Sequence, residues 1–117
     1  MITLATLDQA TAQEVFTQVK DHLLKQGERS MLSTYDVQCA YRGEGGKSCA
    51  AGCLMSDEEA KGIPEPESWK SLVESGYVTD SHRDLITELQ DIHDDLSSVD
   101  EWPEVLKITA SKHGLKY

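Results

Sequence analysis

Residues 81–97 read SHRDLITELQDIHDDLS, and this segment carries both an apolar and an acidic helical pattern. Its apolar side chains recur at the i, i+4, i+7 and i+11 spacing of one buried helix face. These side chains are Leu85, Leu89, Ile92 and Leu96. Ser81 and Asp84 have the spacing of a capping box, in which side chains satisfy backbone N–H groups at a helix start. The segment therefore predicts a helix over residues 82–97 with one buried side.

Helix-start and helix-stop signals elsewhere predict four more helices. Thr11 and Glu14 form another capping box, and Gly27 stands where a left-handed residue ends a helix. The four segments are residues 12–26, a short helix between the Ser56–Glu59 capping box and Gly62, a short helix from Pro66 to Ser75, and a last helix from near Glu101 to Gly114. The chain is thus predicted to be mainly helical.

The segment after the first helix predicts a β-hairpin. Residues 37–42 alternate between two sets of side chains in the way that a strand does. Residues 43–46 are rich in glycine and suit a turn, after which residues 47–50 can return as a second strand. The predicted fold class is therefore α+β, mainly helical, with about five helices, two of them short, and one antiparallel β-hairpin. We expect a single globular domain over residues 1–117.

The charge of the chain limits the kinds of partner it can bind. Its 117 residues include 21 acidic and 11 basic side chains, which gives a formal net charge of −10. Binding to nucleic acid or to an anionic membrane requires basic residues, so the composition argues against both. Residues 1–8 do not resemble a signal peptide, and no apolar stretch reaches the roughly 20 residues of a membrane span. We therefore expect a protein of a reducing cytoplasm.

Acidic side chains concentrate on one face of the predicted helix 82–97. Between Asp80 and Glu104, nine acidic residues accompany one basic residue, Arg83. Carboxylates at i, i+4 lie about 6 Å apart along a helix axis and weaken the helix by about 0.2–0.5 kcal/mol per pair. Such a face either keeps a protein soluble or docks a basic protein, for which mimicry of DNA is one version. The candidate partner-binding residues are Asp84, Glu88, Asp91, Asp94 and Asp95.

Three cysteines, Cys39, Cys49 and Cys53, lie within fifteen residues, and their odd number excludes complete disulfide pairing within one chain. With one histidine they could form a Cys₃His zinc site, although the last pair has CxxxC spacing where zinc knuckles usually have CxxC. A cysteine near a helix start can instead be a reactive thiol. Buried free cysteines also commonly act as small hydrophobic residues. The sequence leaves these three interpretations open and predicts no catalytic residue.

The same segment resembles a known group of proteins. The runs Cys39–Gly43 and Cys49–Leu54 are similar to a segment of small uncharacterised proteins of tailed phages and bacterial prophages. The runs Ala10–Phe16, Leu89–Asp94 and Trp102–Pro103 extend this similarity. The resemblance implies a protein of the bacterial host cytoplasm, of a kind that often acts on host machinery, and it brings no cofactor or functional residue.

The sequence therefore predicts a non-enzymatic binding module that docks a basic host or phage protein, such as one that binds nucleic acid, through the acidic helix face. The alternative is a small domain that uses its three cysteines for zinc binding or thiol chemistry. Homodimers are common among small proteins, so a homodimer also remains open.

Overall fold

The structure, a computed structural model, describes residues 1–27, 41–42, 47–63, 68–95 and 99–117. These residues form five α-helices, the number that the sequence predicts: α1 (Ala12–Gln26), α2 (Asp57–Lys61), α3 (Trp69–Glu74), α4 (Arg83–Asp95) and α5 (Trp102–Lys112). Short 3₁₀ turns lie at Leu7–Gln9, Gly52–Leu54 and Val99–Glu101. Within these ranges, no helix combines the length and the apolar character needed to cross a membrane.

Two of the predicted capping boxes are confirmed. At the start of α1, Glu14 N donates to Thr11 Oγ1 (3.1 Å) and Thr11 N donates to Glu14 Oε1 (2.8 Å). At the start of α2, the same pair of bonds joins Ser56 and Glu59. Gly27 ends α1 with φ 67°, the left-handed conformation that glycine adopts without steric cost. Helix α1 therefore has the predicted boundaries because its start and end depend on local interactions.

Helix α4 lies at the centre of the packing, where it contacts α1, α3 and α5. The predicted apolar face is buried at Leu85, Leu89 and Ile92, and Leu96 lies outside the described residues. Helices α4 and α5 run antiparallel, because their opposite ends meet. The His93 ring stacks on Trp102 at the start of α5, with ring centroids 5.8 Å apart, and the first half of α4 reaches the end of α5.

The predicted β-hairpin is wrong, because the described residues contain no strand and their fold is helical. Residues 37–40 and 43–46 lie outside the described part, but residues 47–49 are irregular and residues 50–51 form a turn. The backbone groups that a ladder would use are bound by helix side chains. Ser48 N donates to Gln26 Oε1, Gln26 Nε2 donates to Ser48 O (both 2.9 Å), and Ala51 N donates to Gln90 Oε1 (2.8 Å).

A close backbone contact holds this irregular segment in place. A Cβ atom added to Gly52 would lie only 2.2 Å from Tyr41 O, so glycine is required by space at this position. The guanidinium of Arg42 bridges the contact by donating to Tyr41 O (3.1 Å), Gly52 O (2.6 Å) and Met55 O (2.8 Å). Its Nε also donates to Asp57 Oδ1 (3.1 Å). Arg42 thus staples residues 41–42 to the segment before α2.

Candidate functional site

The predicted partner-binding residues differ in their surroundings. Asp84 and Asp91 are exposed, and on the α4 helix they point away from the buried Leu85, Leu89 and Ile92. Successive residues are about 100° apart around a helix, so Asp84 and Asp91 share one solvent-facing stripe. We call this stripe, Asp84 and Asp91 together, the carboxylate face. The side chains of Asp94 and Asp95 lie outside the described part of the structure.

Glu88, another of the predicted partner-binding residues, contacts α5. Its carboxylate oxygens accept from Lys112 Nζ and His113 Nε2, and only 29% of its side chain is exposed. Burial raises the pKa of Glu88, but the hydrogen bonds from Lys112 and His113 outweigh burial and hold this pKa below its usual range. Glu88 therefore joins two helices, and its charge is balanced within the chain.

Helix α5 adds further exposed carboxylates. Glu101 and Glu104 are exposed at its start, next to the exposed Asp100. Because α4 and α5 run antiparallel, the start of α5 lies near the end of α4, beyond Asp91. The acidic surface thus continues from one helix to the other, as the charge distribution of the sequence suggests.

The one base in this acidic stretch, Arg83, lines a small cleft of about 480 Å³ with Asp80, His82, Asp84 and His113. His82 has φ 59°, a conformation that non-glycine residues seldom adopt, and its Nε2 lies 2.7 Å from Ala10 O. The turn before α4 is also held by Asp8, which accepts from Ser81 Oγ (2.7 Å) and from Thr79 Oγ1. These contacts fix where α4 starts and therefore where Asp84 lies.

The described cysteines are engaged in local hydrogen bonds. Gly52 N donates to the buried Cys49 Sγ (3.3 Å), and Cys53 Sγ donates to Ala50 O (3.1 Å). Burial raises the pKa of the Cys53 thiol to about 12, against a smaller opposing effect of the Arg42 charge. Because the thiolate is the reactive form, this environment favours the interpretation of Cys53 as a packing residue.

The predicted zinc site cannot be assembled from the residues that the structure describes. Cys39, the third proposed ligand, lies outside them, and none of the described histidine, cysteine and carboxylate residues form a group of three suited to a metal. In the described part, the Arg42 guanidinium holds this segment together by joining Tyr41 to Gly52 and Met55, a role for which a zinc ion was considered from the sequence. The sequence offered no signal for this, because an arginine beside a glycine-rich turn is usually solvent-exposed.

A histidine and a serine that sequence analysis did not pair lie together in an open groove of about 1080 Å³ between α1 and residues 48–57. His22 Nε2 lies 2.8 Å from Ser48 O and 3.1 Å from Ser48 Oγ. A carbonyl oxygen can only accept, so Nε2 must carry the proton and donate to it. Nε2 then has no lone pair with which to take the proton of Ser48 Oγ. The pair is therefore a structural contact and not a serine nucleophile with its base.

Comparison with known proteins adds no functional residue to this geometry. The chain matches no protein-family model, no curated protein and no solved structure. Its candidate site is therefore defined by its own residues.

Proposed function

We propose that this chain is a non-enzymatic binding module that docks a basic host or phage protein through the carboxylate face of α4. The observation that carries the proposal is the exposure of Asp84 and Asp91 on the side of α4 that faces away from the core. These residues lie in a stretch in which nine acidic side chains accompany one basic side chain. Both side chains are exposed to solvent, so lysine and arginine residues of a partner can approach them.

Such a surface mainly affects the rate of association and the choice of partner. One exposed ion pair contributes only about 0–1 kcal/mol, so no single carboxylate would decide the affinity. Several carboxylates of one sign steer an oppositely charged partner and exclude acidic ones. Exposed charges are screened over about 8 Å at physiological ionic strength, so binding should weaken steeply with added salt.

Glu88 has a different role in this proposal from its neighbours. Its carboxylate is bound to Lys112 and His113, so its contribution is to hold α5 against α4 beneath the face. The contact residues that we propose are Asp84, Asp91, Asp94 and Asp95. A charge reversal at Glu88 would mix two effects, loss of a helix contact and loss of surface charge, and is therefore a poor test of docking.

The test is capture of a partner by the full chain from bacterial lysate, at low and at high salt, with matched variants. Asp84→Lys/Asp91→Lys reverses the face. Glu58→Lys/Glu74→Lys makes the same change in net charge at two exposed acidic residues on α2 and α3. We expect wild type and the control to retain the partner at low salt, and the face variant to lose it.

Direct titration of the captured protein, once purified, then separates docking from general electrostatic attraction. We expect the face variant to bind at least ten times more weakly than the control variant at the same ionic strength. Equal affinities for the two variants would show that net charge, and not the α4 surface, attracts the partner. Binding that is unaffected by salt would also contradict the proposal.

A further inference from the structure

Two lysines lie over one partly exposed aromatic ring, on a chain whose charge is otherwise strongly negative. Lys20 Nζ lies 4.7 Å from the centroid of the Tyr117 ring, and Lys107 Nζ lies 5.4 Å from it. Lys116 is exposed beside them, and the Tyr117 side chain is itself 44% exposed. We call Lys20, Lys107, Lys116 and Tyr117 the Tyr117 patch. It combines basic side chains with an aromatic ring, residue types that suit contact with a partner's carboxylates.

The Tyr117 patch is held in a defined position by α1. Gln13 Nε2 donates to Lys116 O (2.9 Å), and Lys116 N donates to Gln13 Oε1 (2.8 Å). The Tyr117 ring meets the buried Phe16 ring edge to face, with centroids 6.5 Å apart. A surface that is ordered before binding loses less conformational entropy when it docks. The patch is therefore suited to recognition.

The patch and the carboxylate face lie on opposite flanks of α5. Lys107 and Lys112 are five positions apart, which corresponds to about 140° around a helix. Lys112 reaches Glu88 on α4, whereas Lys107 reaches the Tyr117 ring on the side of α1. A twofold pair would have to bring both flanks of each copy into one interface. A head-to-tail contact uses one flank of each copy, and the separation of the two flanks favours it.

We propose that a second copy of this chain is a partner of the carboxylate face, and that it docks with its Tyr117 patch in a head-to-tail arrangement. The inference rests on the proposed function, because it uses the same face, and it names one basic surface that is always present. Charge complementarity carries it: the exposed Lys107 and Lys116 of one copy meet Asp84 and Asp91 of the next. At physiological ionic strength the repulsion between two negative chains is screened beyond about 8 Å, while contact pairs survive.

The experiment is sedimentation of the full chain from micromolar to millimolar concentration, at about 0.15 M salt, where contact pairs survive screening, and again in molar salt. Lys20→Glu/Lys107→Glu removes the patch, and Asp84→Lys/Asp91→Lys removes the face. We expect the average mass of the wild type to rise with concentration at the lower salt only, and each variant to remain monomeric. In an equimolar mixture of the two variants association should return, because the native face of one variant meets the native patch of the other and the two reversed surfaces are also complementary in charge.

Two further variants keep the test decisive. The Lys20 side chain is only 17% exposed, so its replacement can also disturb the fold. Tyr117→Ser provides a milder removal of the patch, and it should reduce the association constant at least fivefold. Glu58→Lys/Glu74→Lys has the net charge of the face variant and should still associate. Wild type that stays monomeric throughout overturns the inference, as does association that survives in both patch variants.

Failure of this inference can be distinguished from failure of the proposed function with an octalysine peptide. If the peptide binds wild type and not the face variant, while wild type stays monomeric, the face is a docking surface for another protein and the inference about a second copy is wrong. If the peptide also fails to distinguish the face variant from the Glu58→Lys/Glu74→Lys control, both proposals are wrong.

Discussion

Replacement of Gly52 by alanine should destabilise the fold more than its small size suggests. The added Cβ would lie 2.2 Å from Tyr41 O and 3.0 Å from the Tyr41 carbonyl carbon and Cα. These are backbone atoms, so no side-chain rotation relieves the overlap. Residues 41–42 and 50–54 would have to separate by roughly an ångström, since a Cβ forced into a packed site displaces its neighbours.

The magnitude follows from what that separation disrupts. Overpacking of an ordered site costs about 1–3 kcal/mol. Arg42 Nη1 bonds Tyr41 O and Gly52 O together, so the same movement weakens both of these charge-assisted hydrogen bonds. Because the Arg42 side chain is 31% exposed, water replaces part of this interaction. We expect a total loss of about 3 kcal/mol, a large part of the 5–15 kcal/mol by which domains are usually stable.

The assay is urea unfolding followed by the helical circular dichroism signal. With a slope of about 2 kcal/mol per molar urea, the midpoint should fall by about 1.5 M. Gly62→Ala is the matched control, because the nearest atom to its added Cβ is Glu59 O at an ordinary 3.7 Å and its φ is −89°. That variant should be stabilised by about 0.4–1 kcal/mol through the unfolded state.

The reasoning would be refuted by a Gly52→Ala protein that unfolds within about 1 kcal/mol of wild type, the level of an ordinary surface change. It would also be refuted if Gly62→Ala lost as much stability, because the effect would then belong to glycine replacement in general. Arg42→Lys offers a second check. A single ammonium cannot bridge three carbonyl oxygens in the guanidinium geometry, so this variant should lose part of the same stability.

Three further predictions concern individual side chains. Cys53 should react slowly with iodoacetamide at neutral pH. Burial raises the pKa of its thiol from 9.0 to about 12, which lowers the thiolate fraction about a thousandfold. Peptide mapping after timed alkylation measures the rate, and a rate equal to that of a free thiol would contradict the prediction. The Glu59 carboxylate accepts hydrogen bonds from three backbone N–H groups. Burial raises the pKa of Glu59, but these hydrogen bonds lower it more, so that the pKa lies below its usual range. Its stabilisation is thus present at neutral pH and lost as pH falls through the lowered pKa, so Glu59→Gln should cost about 1–2 kcal/mol at neutral pH and less in acid, which unfolding at several pH values tests. Glu88→Lys should cost about 1–2 kcal/mol, because Glu88 is hydrogen-bonded to Lys112 and His113. Asp84→Lys should cost less than about 0.5 kcal/mol, because Asp84 is exposed and acts on the Lys112 charge without a hydrogen bond. Equal shifts in thermal unfolding would be evidence against that difference.

Features that depend on neighbouring residues could be predicted from the sequence. The capping boxes at Thr11 and Ser56 and the end of α1 at Gly27 involve residues at most four positions apart. The buried positions of α4 follow from helical spacing. Helix α3 shows the limit of such signals, because it begins at Trp69 with Ser68 as its cap and not at Pro66.

The hairpin prediction was wrong because it used a local sequence pattern, whereas the side chains that bind these backbone groups lie far away in sequence. An alternating segment followed by glycines is compatible with a strand and turn, provided that its backbone groups have no better partners. Here Ser48 is bound by Gln26 and His22, and Ala51 is bound by Gln90, which is 39 residues away in sequence. The packing of α1 and α4 places these polar side chains beside the segment. The sequence of residues 37–50 carries no information about that packing.

By itself, the sequence determined the helical segments and the excess of carboxylates along α4, since helix formation and charge spacing depend on contacts within one or two turns. Only the tertiary structure decided which carboxylates are exposed to solvent. Packing of α5 antiparallel to α4 brings Lys112 and His113 to Glu88, while Asp84 and Asp91 stay exposed. The physical reason is that ion pairs between helices depend on how those helices cross, which no local pattern encodes.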